Sequence, residues 1–416
     1  MIDFRYIFDI IRVRKQIKKI NKKIKIYEVN KMNLCCGIDI GNAKTEVAFM
    51  GNEKLNLVRQ PSVVSQLLSK PETNDSDEKT LVTNLLDNLA VHIFSDALKK
   101  DGIYFVGRKA LDTPRNIKNM NITLGNKVKQ DIPIITSLSL LAGVAIQKHY
   151  ETKETLPKTL TLNVKMATAI PSSEYTKDSA KFLEDRFLGE HNIKVFVGSN
   201  SVVVNVNVTH CKCTEEGKTA MLAFLKSEND ILSNYNDTYN ENAKPIDFAK
   251  ARSLHSDIGD GTSEIIFTQG FNPVPNGSYG VRVGVGHATN EAIKLYRNEL
   301  GGLIGDITRQ HFIELLTGDT EKSKVAREKM TEATYIQGYK INEHIQQAFV
   351  EYTASTAEYF FVHGGGSIVF KKDMYEDLID FTSQVRARVV WIPEEYATSM
   401  NSRGTFYLAQ QLFCKE

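Results

Sequence analysis

Runs of apolar residues that end at glycine-rich turns dominate the hydrophobic pattern of this chain. Each run has the length and composition of a buried strand, and a second apolar run follows each turn at once, which predicts a hairpin. The pattern occurs twice: 34–40 and 46–50 flank Gly41-Asn42-Ala43, and 254–258 and 264–268 flank Gly259-Asp260-Gly261. The chain therefore contains two strand–turn–strand units in matching sequence contexts.

The rest of the pattern alternates helices and strands. Asp131 and Pro133 suit the start of a helix that continues to about residue 149. A third apolar strand, residues 359–362, runs directly into a triple glycine. Residues 227–250 are polar and rich in Asn, so they predict irregular structure. Further predicted elements are strands over 102–107, 160–170 and 201–211, helices over 284–316, 322–358 and 393–412, and a loop over 70–80. This is the pattern of a mixed α/β protein.

The N-terminal segment has a different pattern. Its apolar positions follow a helical spacing, with Lys and Arg between them, so it predicts a basic amphipathic helix: Ile10, Val13, Ile17, Ile20 and Ile24. Three interpretations stay open: a leader or appended helix ahead of Met32, a site for a partner, or a helix that binds an anionic membrane surface. No apolar core of signal-peptide length follows the charges, which disfavours secretion.

Composition and charge reduce the number of possible function classes. The chain has 416 residues, 42% hydrophobic and 25% charged, which suggests two or three domains or one large two-lobed fold. The formal net charge is +2, but residues 1–31 hold ten basic and three acidic side chains, so the remainder carries −5. A body of that charge is not typical of a general nucleic-acid binder, which shows a basic face.

The length of the longest apolar stretch and the spacing of the cysteines indicate whether the chain crosses a membrane and whether its thiols are reduced. The longest apolar stretch, Ile135–Ile146, contains Thr136, Ser137 and Ser139 and is shorter than the ~20 residues of a membrane span. We therefore expect no membrane span. The five cysteines include no C-x-x-C pair and are odd in number. They predict reduced, mostly structural thiols in a cytoplasmic protein, without a zinc site.

The two hairpin turns carry chemistry that fits a polyphosphate. Glycine lets backbone N–H groups approach phosphate oxygens closely. Asp39 and Asp257 stand just before the turns, and their carboxylates would repel phosphate unless Mg²⁺ lay between, because Mg²⁺ prefers carboxylates, waters and phosphate oxygens. The chain has neither a Walker phosphate loop nor a dinucleotide-binding glycine pattern that opens a helix. Two acidic hairpins facing each other would clamp a triphosphate.

Three motifs resemble those of the actin and sugar-kinase ATPase superfamily. Residues 39–45 resemble its first phosphate motif, 257–264 its second, and 362–367 its adenosine motif. Further segments resemble the ParM-type plasmid segregation branch: 61–64, 104–107, 168–175, 279–283 and 397–404. The resemblance covers about residues 34–416.

The resemblance implies an α/β, actin-like fold, that is, a duplicated ribonuclease H-like fold of two lobes with a nucleotide in the cleft. It implies an actin-like domain I over 34–250 plus 392–416 and a domain II over 251–391, with residues 1–33 as a basic N-terminal extension. The implied ligands are ATP or GTP and Mg²⁺.

The resemblance also assigns roles to residues. Asp39 and Asp257 would hold hydrated Mg²⁺, and Glu174 falls where the superfamily has a water-orienting carboxylate. Many relatives carry a phosphate-contacting Lys at the position of Glu46. Here Lys44, on the same face of the strand, either substitutes or points to solvent. The other implied nucleotide-binding residues are Gly41, Asn42, Ala43, Thr45, Gly259, Asp260, Gly261, Thr262, Gly364, Gly365, Gly366 and Ser367.

The implied function is nucleoside triphosphate hydrolysis coupled to the growth of dynamic filaments that segregate plasmid DNA. A small DNA-binding adaptor of ParR type would join filament and plasmid centromere, so this chain would contact DNA only indirectly. One alternative is a non-polymerising kinase or chaperone-type ATPase of the same superfamily. The other is a membrane-linked actin-like scaffold, which the basic N-terminal pattern alone supports.

Overall fold

The strands form two separate sheets. The structure, a computed structural model, describes residues 30–72, 76–113, 116–120, 126–302, 305 and 307–414. Within that part of the chain, one sheet has ten strands and the other has five. The predicted N-terminal helix lies outside the described residues.

The larger sheet has the first hairpin near one of its edges. In chain order its strands are β1 (Lys31–Ile40), β2 (Lys44–Met50), β3 (Leu55–Pro61), β4 (Val63–Leu67), β5 (Ala90–Phe94), β6 (Gly102–Val106), β7 (Ile117–Asn119), β8 (Thr159–Ile170), β9 (Gly189–Val197) and β10 (Asn200–Glu215). They lie side by side in the order β3-β2-β1-β8-β10-β9-β5-β6-β4-β7. Strand β1 pairs antiparallel with β2 and parallel with β8, so the end of β1 and the end of β8 lie at the same edge.

The smaller sheet repeats this arrangement. Its strands are β11 (Arg252–Ile258), β12 (Ser263–Gln269), β13 (Asn272–Val281), β14 (Tyr359–His363) and β15 (Arg388–Trp391), in the order β13-β12-β11-β14-β15. Strand β11 pairs antiparallel with β12 and parallel with β14, as β1 does with β2 and β8. The two strand–turn–strand units predicted from the sequence are confirmed.

Helices cover the sheets. They are α1 (Glu78–Thr83), α2 (Arg108–Leu111), α3 (Ile132–Lys153), α4 (Lys177–Phe187), α5 (Glu216–Lys226), α6 (Ser233–Tyr239), α7 (Val285–Glu299), α8 (Arg309–Thr317), α9 (Glu321–Glu351), α10 (Gly365–Val369), α11 (Lys371–Gln384), α12 (Glu394–Ala397) and α13 (Met400–Phe413). Among the described residues, one helix, α3, is long and apolar enough to cross a membrane, and 83% of its most apolar window is buried inside the fold. It is a core helix of the larger sheet.

Helix α13 returns to the first hairpin at the end of the described chain. It packs against β1, β8 and α5, with Phe406 and Ala409 buried. A side chain at Gly404 would place its Cβ 1.8 Å from the Thr219 carbonyl oxygen. Helices α5 and α13 therefore touch backbone to backbone, and only glycine permits this contact.

Two expectations about local structure were wrong, and one strand was not predicted. Residues 227–250 form α6 and two flanking 3₁₀ turns, because Tyr235 and Phe248 anchor the segment in a buried aromatic cluster. The predicted helix 284–316 is two helices, because Gly301 and Gly302 adopt left-handed φ angles of 68° and 70° after α7. Strand β13 was not predicted, because its two prolines and two glycines weaken the signal of a strand.

The prediction of reduced cysteines was also wrong for one pair. Cys35 in β1 and Cys414 after α13 form a disulfide bond, with their Cα atoms 6.5 Å apart. They are 379 residues apart in sequence, and the packing of α13 on β1 brings them together, so spacing alone could not reveal the pair. Cys36, Cys211 and Cys213 are free and buried.

Candidate nucleotide site

A cavity of about 360 Å³ lies where the two acidic hairpin turns and the triple glycine meet. It is bounded by the end of β1, the end of β11 and the loop after β14. Of the residues predicted for the site, those that line it are Asp39, Gly41, Asn42, Ala43, Lys44, Asp257, Gly259, Asp260, Thr262, Gly364, Gly365 and Gly366. The fold thus brings residues of three distant segments to one place.

The first turn is held from below by hydroxyl groups. The Ser62 amide donates to the Ala43 carbonyl oxygen at 2.9 Å, and the Ser62 hydroxyl donates to the Gly41 carbonyl oxygen at 2.7 Å. Thr45 is fully buried and bonds to the hydroxyls of Ser62 and Thr136. Thr45 therefore supports the turn and does not line the cavity.

The second turn is closed by its own backbone. The Gly259 amide donates to the Thr262 carbonyl oxygen at 2.9 Å. The Asp260 carboxylate lies 2.9 Å from the Arg309 guanidinium of α8, so part of its charge is balanced outside the turn. Gly261 is not among the cavity residues, and its carbonyl faces the His287 ring at 3.0 Å.

The triple glycine lies directly against the second turn. Gly364 has a φ of 88°, a conformation that favours glycine. A Cβ there would lie 2.4 Å from Asp257 Oδ1 and 2.6 Å from the Ile258 carbonyl oxygen. Ser367 is fully buried, and its hydroxyl donates back to the Gly364 carbonyl oxygen at 2.8 Å, so Ser367 shapes the loop from behind.

The two turn aspartates share one electrostatic environment. Burial raises the pKa of Asp39 to about 6; Lys127 and Lys44 oppose this rise, and Glu46 and Asp257 add to it. Asp257 accepts a hydrogen bond from the Asn401 side-chain amide of α13 at 2.7 Å, and its other oxygen lies 3.7 Å from His363 Nδ1. Both carboxylates therefore line one cavity, and Asn401 holds that of Asp257 in place.

The charged cavity residues that were missed from the sequence include an ion pair. Lys127 and Glu216 both line it, with Lys127 Nζ 3.3 Å from Glu216 Oε1. Burial raises the pKa of Glu216 to about 8, although Lys127 opposes the rise. Burial acts to lower the pKa of Lys127, but the charges of Glu216, Asp39 and Glu174 outweigh it and the pKa is raised. Glu216 is the first residue of α5 and directly follows β10, so its position at the end of a strand could have indicated a site residue. Lys127 follows a segment without hydrophobic periodicity, so no comparable signal marks it in the sequence.

Glu174 lies beside the cavity rather than in its wall. Its two carboxylate oxygens accept hydrogen bonds from the backbone amides of Asn126 and Lys127, at 3.1 and 2.9 Å. It therefore fixes the turn that carries Lys127. Its role as the water-orienting carboxylate stays a prediction, with Glu216 as the competing residue inside the cavity.

The donor set fits a hydrated Mg²⁺ shared with a polyphosphate. Within the described part of the chain, no group of three or more His, Cys, Asp or Glu side chains could hold a metal ion by itself. Mg²⁺ usually takes one or two carboxylates and completes its shell with waters and phosphate oxygens. Asp39 and Asp257 supply two carboxylates, and Gly364 leaves room directly beside Asp257.

The raised pKa of Glu216 predicts a pH dependence of stability in the ligand-free protein. Between the ordinary value of about 4.5 and about 8, the folded chain holds a proton that the unfolded chain releases, so the free energy of unfolding falls as pH rises. The lowered pKa values of His255 and His363 act in the opposite direction, but only below about 6.5. We expect wild type to lose about 1–2 kcal/mol more than Glu216→Gln between pH 6.5 and 8 in urea unfolding. Parallel curves for the two proteins would contradict this assignment.

The comparisons with known proteins agree with the geometry. Residues 37–218 match the family described as actin-like proteins, N-terminal domain. No curated protein sequence gives a significant match. These residues therefore resemble the N-terminal domain of actin-like proteins.

Solved structures extend the likeness over the described chain. The actin-like protein Alp7A superposes with a TM-score of 0.64 at 19% identity, over 91% of this chain and 97% of that one. Bacillus thuringiensis ParM with ADP gives 0.58 at 16%, over 91% and 98%. The archaeal actin homologue Ta0583 gives 0.60 at 16%, over 91% and 99%. The chain has the two-lobed actin-like fold, and the fold expected from the sequence motifs is confirmed.

Proposed function

We propose that this chain binds a nucleoside triphosphate with Mg²⁺ in the cavity, hydrolyses it, and assembles into filaments that segregate plasmid DNA. The observation that carries the proposal is the approach of the two acidic hairpin turns, Asp39-Ile-Gly41 and Asp257-Ile-Gly259, to one cavity. The solved ParM structures with ADP and with ATP support nucleotide as the ligand class. ATP and GTP both stay candidates.

Different residues of the cavity would bind different parts of the nucleotide. The backbone amides of the two turns face the phosphates, and Lys44 and Lys127 oppose their charge. When bound, Mg²⁺ would be held by Asp39 and Asp257 and would neutralise charge that develops on the phosphate oxygens. Gly364, Gly365 and Gly366 leave space for the nucleoside, with Gly365 free of any neighbour within 4 Å of a Cβ.

The hydrolytic step needs a water held in line with the terminal phosphate. Glu216 is buried against Lys127 in the cavity wall, and burial raises its pKa to about 8. With a pKa near the working pH, Glu216 is ionised in part of the molecules, and that ionised form can accept a proton from the water as the bond to phosphate forms. We assign this role to Glu216 and place Glu174 behind it, on the turn that carries Lys127.

Filament formation follows from a contact that repeats head to tail without closing. A non-polymerisable quadruple mutant of pCBH ParM is among the similar structures, with a TM-score of 0.61 at 17% identity. In the proposed system a ParR-type adaptor joins the filament to plasmid centromere DNA, which agrees with the net charge of −5 outside residues 1–31. The filament and adaptor would act in the cytoplasm.

The test uses the full chain with ATP, GTP, ADP or no nucleotide, in Mg²⁺ or EDTA. We expect light scattering and pelleting to rise only with a triphosphate and Mg²⁺, and phosphate release to accompany them. Asp257→Ala serves as the inactive control, and Asp230→Ala, which removes a carboxylate that bonds Tyr396, as the matched active one. Phosphate release without any polymer at any salt concentration would contradict the proposed filament assembly. Absence of nucleotide binding would contradict the whole proposal.

A further inference from the structure

A row of charged residues crosses the three strands next to the cavity. In the register of the antiparallel pairs, Asp39 in β1 faces Glu46 in β2, and Glu46 faces Arg59 in β3. Directly opposed residues project from the same face of a sheet. Lys44, two residues before Glu46, projects from that face as well. Two carboxylates and two cations therefore stand together at the phosphate end of the cavity.

Glu46 is the buried centre of this row. Its side chain has no exposed surface, and a buried carboxylate is costly unless it is paired. Its Oε2 lies 3.1 Å from Lys44 Nζ and 3.1 Å from Arg59 Nε, and its Oε1 accepts from the Ser402 hydroxyl. Both oxygens are therefore satisfied, and two cations are fixed by one oxygen.

The two cationic side chains paired with Glu46 line the cavity, although Glu46 itself does not. Lys44 and Arg59 line it, whereas Glu46 lies behind them. The Arg59 side chain is 52% exposed and lines the cavity, and its ion pair with Glu46 forms through Nε, which leaves both terminal nitrogens of the guanidinium outside that pair. A guanidinium presents several donors in a planar fork that suits phosphate oxygens.

We infer that Arg59 binds the polyphosphate of the nucleotide and that Glu46 is the positioning residue for Arg59 and Lys44. The inference rests on the proposed function and adds a residue to its site. In place of the phosphate-contacting lysine that many relatives have at the position of Glu46, this chain has a carboxylate that holds two cations from neighbouring positions.

The same carboxylate connects the cations to helix α13. Ser402 bonds Glu46, and Lys44 Nζ also donates to the Thr398 carbonyl oxygen at 2.8 Å. Asn401, between these residues, holds Asp257 of the other sheet at 2.7 Å. The phosphate-facing groups of both sheets are therefore fixed by one short segment, 398–402.

The first test is Arg59→Met, measured with mant-labelled ATP and GTP and with the unlabelled mono-, di- and triphosphates as competitors. We expect triphosphate affinity to fall about tenfold or more, since a charge-assisted hydrogen bond is lost, and monophosphate affinity to stay within about twofold. Arg108→Met, an exposed arginine of the same lobe outside the cavity, is the matched control. An equal loss for all three phosphates, or no loss beyond that of Arg108→Met, would overturn the inference.

The second test is a double-mutant cycle with Glu46→Gln. If Glu46 acts through Arg59, the loss of triphosphate affinity caused by Glu46→Gln shrinks in the Arg59→Met background, whereas a general structural effect gives independent losses. Arg59→Met keeps the test valid if Glu46→Gln does not fold. Should wild type bind neither labelled nucleotide, the proposed function fails; should wild type bind and the cycle show no coupling, only the role of Glu46 fails.

Discussion

Gly364→Val is expected to weaken nucleotide binding by at least about 100-fold. Two causes add up. Valine is disfavoured at a φ of 88°, and its Cβ would stand 2.4 Å from Asp257 Oδ1. Either the loop after β14 shifts into the cavity or the Asp257 carboxylate leaves its place beside Asn401. Titration with mant-labelled ATP and GTP measures the loss.

The matched control is Gly189→Val. Gly189 has a φ of 108° and no atom within 4 Å of a Cβ, so this change carries the conformational cost without the steric conflict. We expect Gly189→Val to lower the melting temperature and to bind nucleotide like wild type. Equal binding losses in both variants, or wild-type binding by a folded Gly364→Val, would show that the contact with Asp257 does not matter.

Glu216→Gln is expected to slow hydrolysis by at least about 100-fold while triphosphate affinity stays within about threefold. Glutamine has the shape of glutamate but cannot accept a proton from the attacking water. Lys127 keeps a carboxylate partner in Asp39, whose charge acts on it, so the phosphate-binding charge persists. Single-turnover phosphate release, with binding measured separately, distinguishes the two effects.

Glu174→Gln decides between the two glutamates. Its oxygens accept from the amides of Asn126 and Lys127, and one of these bonds is kept by the amide oxygen of glutamine. We expect a loss in hydrolysis below about threefold. A large loss in Glu174→Gln together with near-normal turnover in Glu216→Gln would reverse the assignment and support the position implied by the sequence motif.

The sequence predicted the strands that end at the site better than the elements around them. Strands β1 and β11 are buried and end in glycine turns, so at both places the hydrophobic pattern and the turn residues predict the same strand end. The structure of residues 227–250 was predicted wrongly, because two aromatic side chains outweigh many polar ones once Tyr235 and Phe248 pack together. Burial of a few large side chains decides such a segment, and the polar composition does not reveal it.

Some residues of the candidate site were likewise predicted from the sequence, and others were not. The turn residues were found because glycine and aspartate at strand ends have a local signature. Lys127, Glu216, Arg59 and Asn401 were not found, because what places them in the cavity is sheet register and helix packing between distant segments. The glycine turns thus indicate where the proposed phosphate site lies, whereas the charges proposed to set its affinity depend on tertiary structure.

The Cys35–Cys414 bond turns most of this chain into a covalent ring. Because the two cysteines are 379 residues apart in sequence, a single cut in any loop inside the ring leaves both pieces joined, and they separate only when a reductant is added. The ring also confines the unfolded chain, which lowers its conformational entropy and favours refolding. The strand that carries Asp39 and the helix that carries Asn401 thus remain tethered even when every non-covalent contact between them is lost.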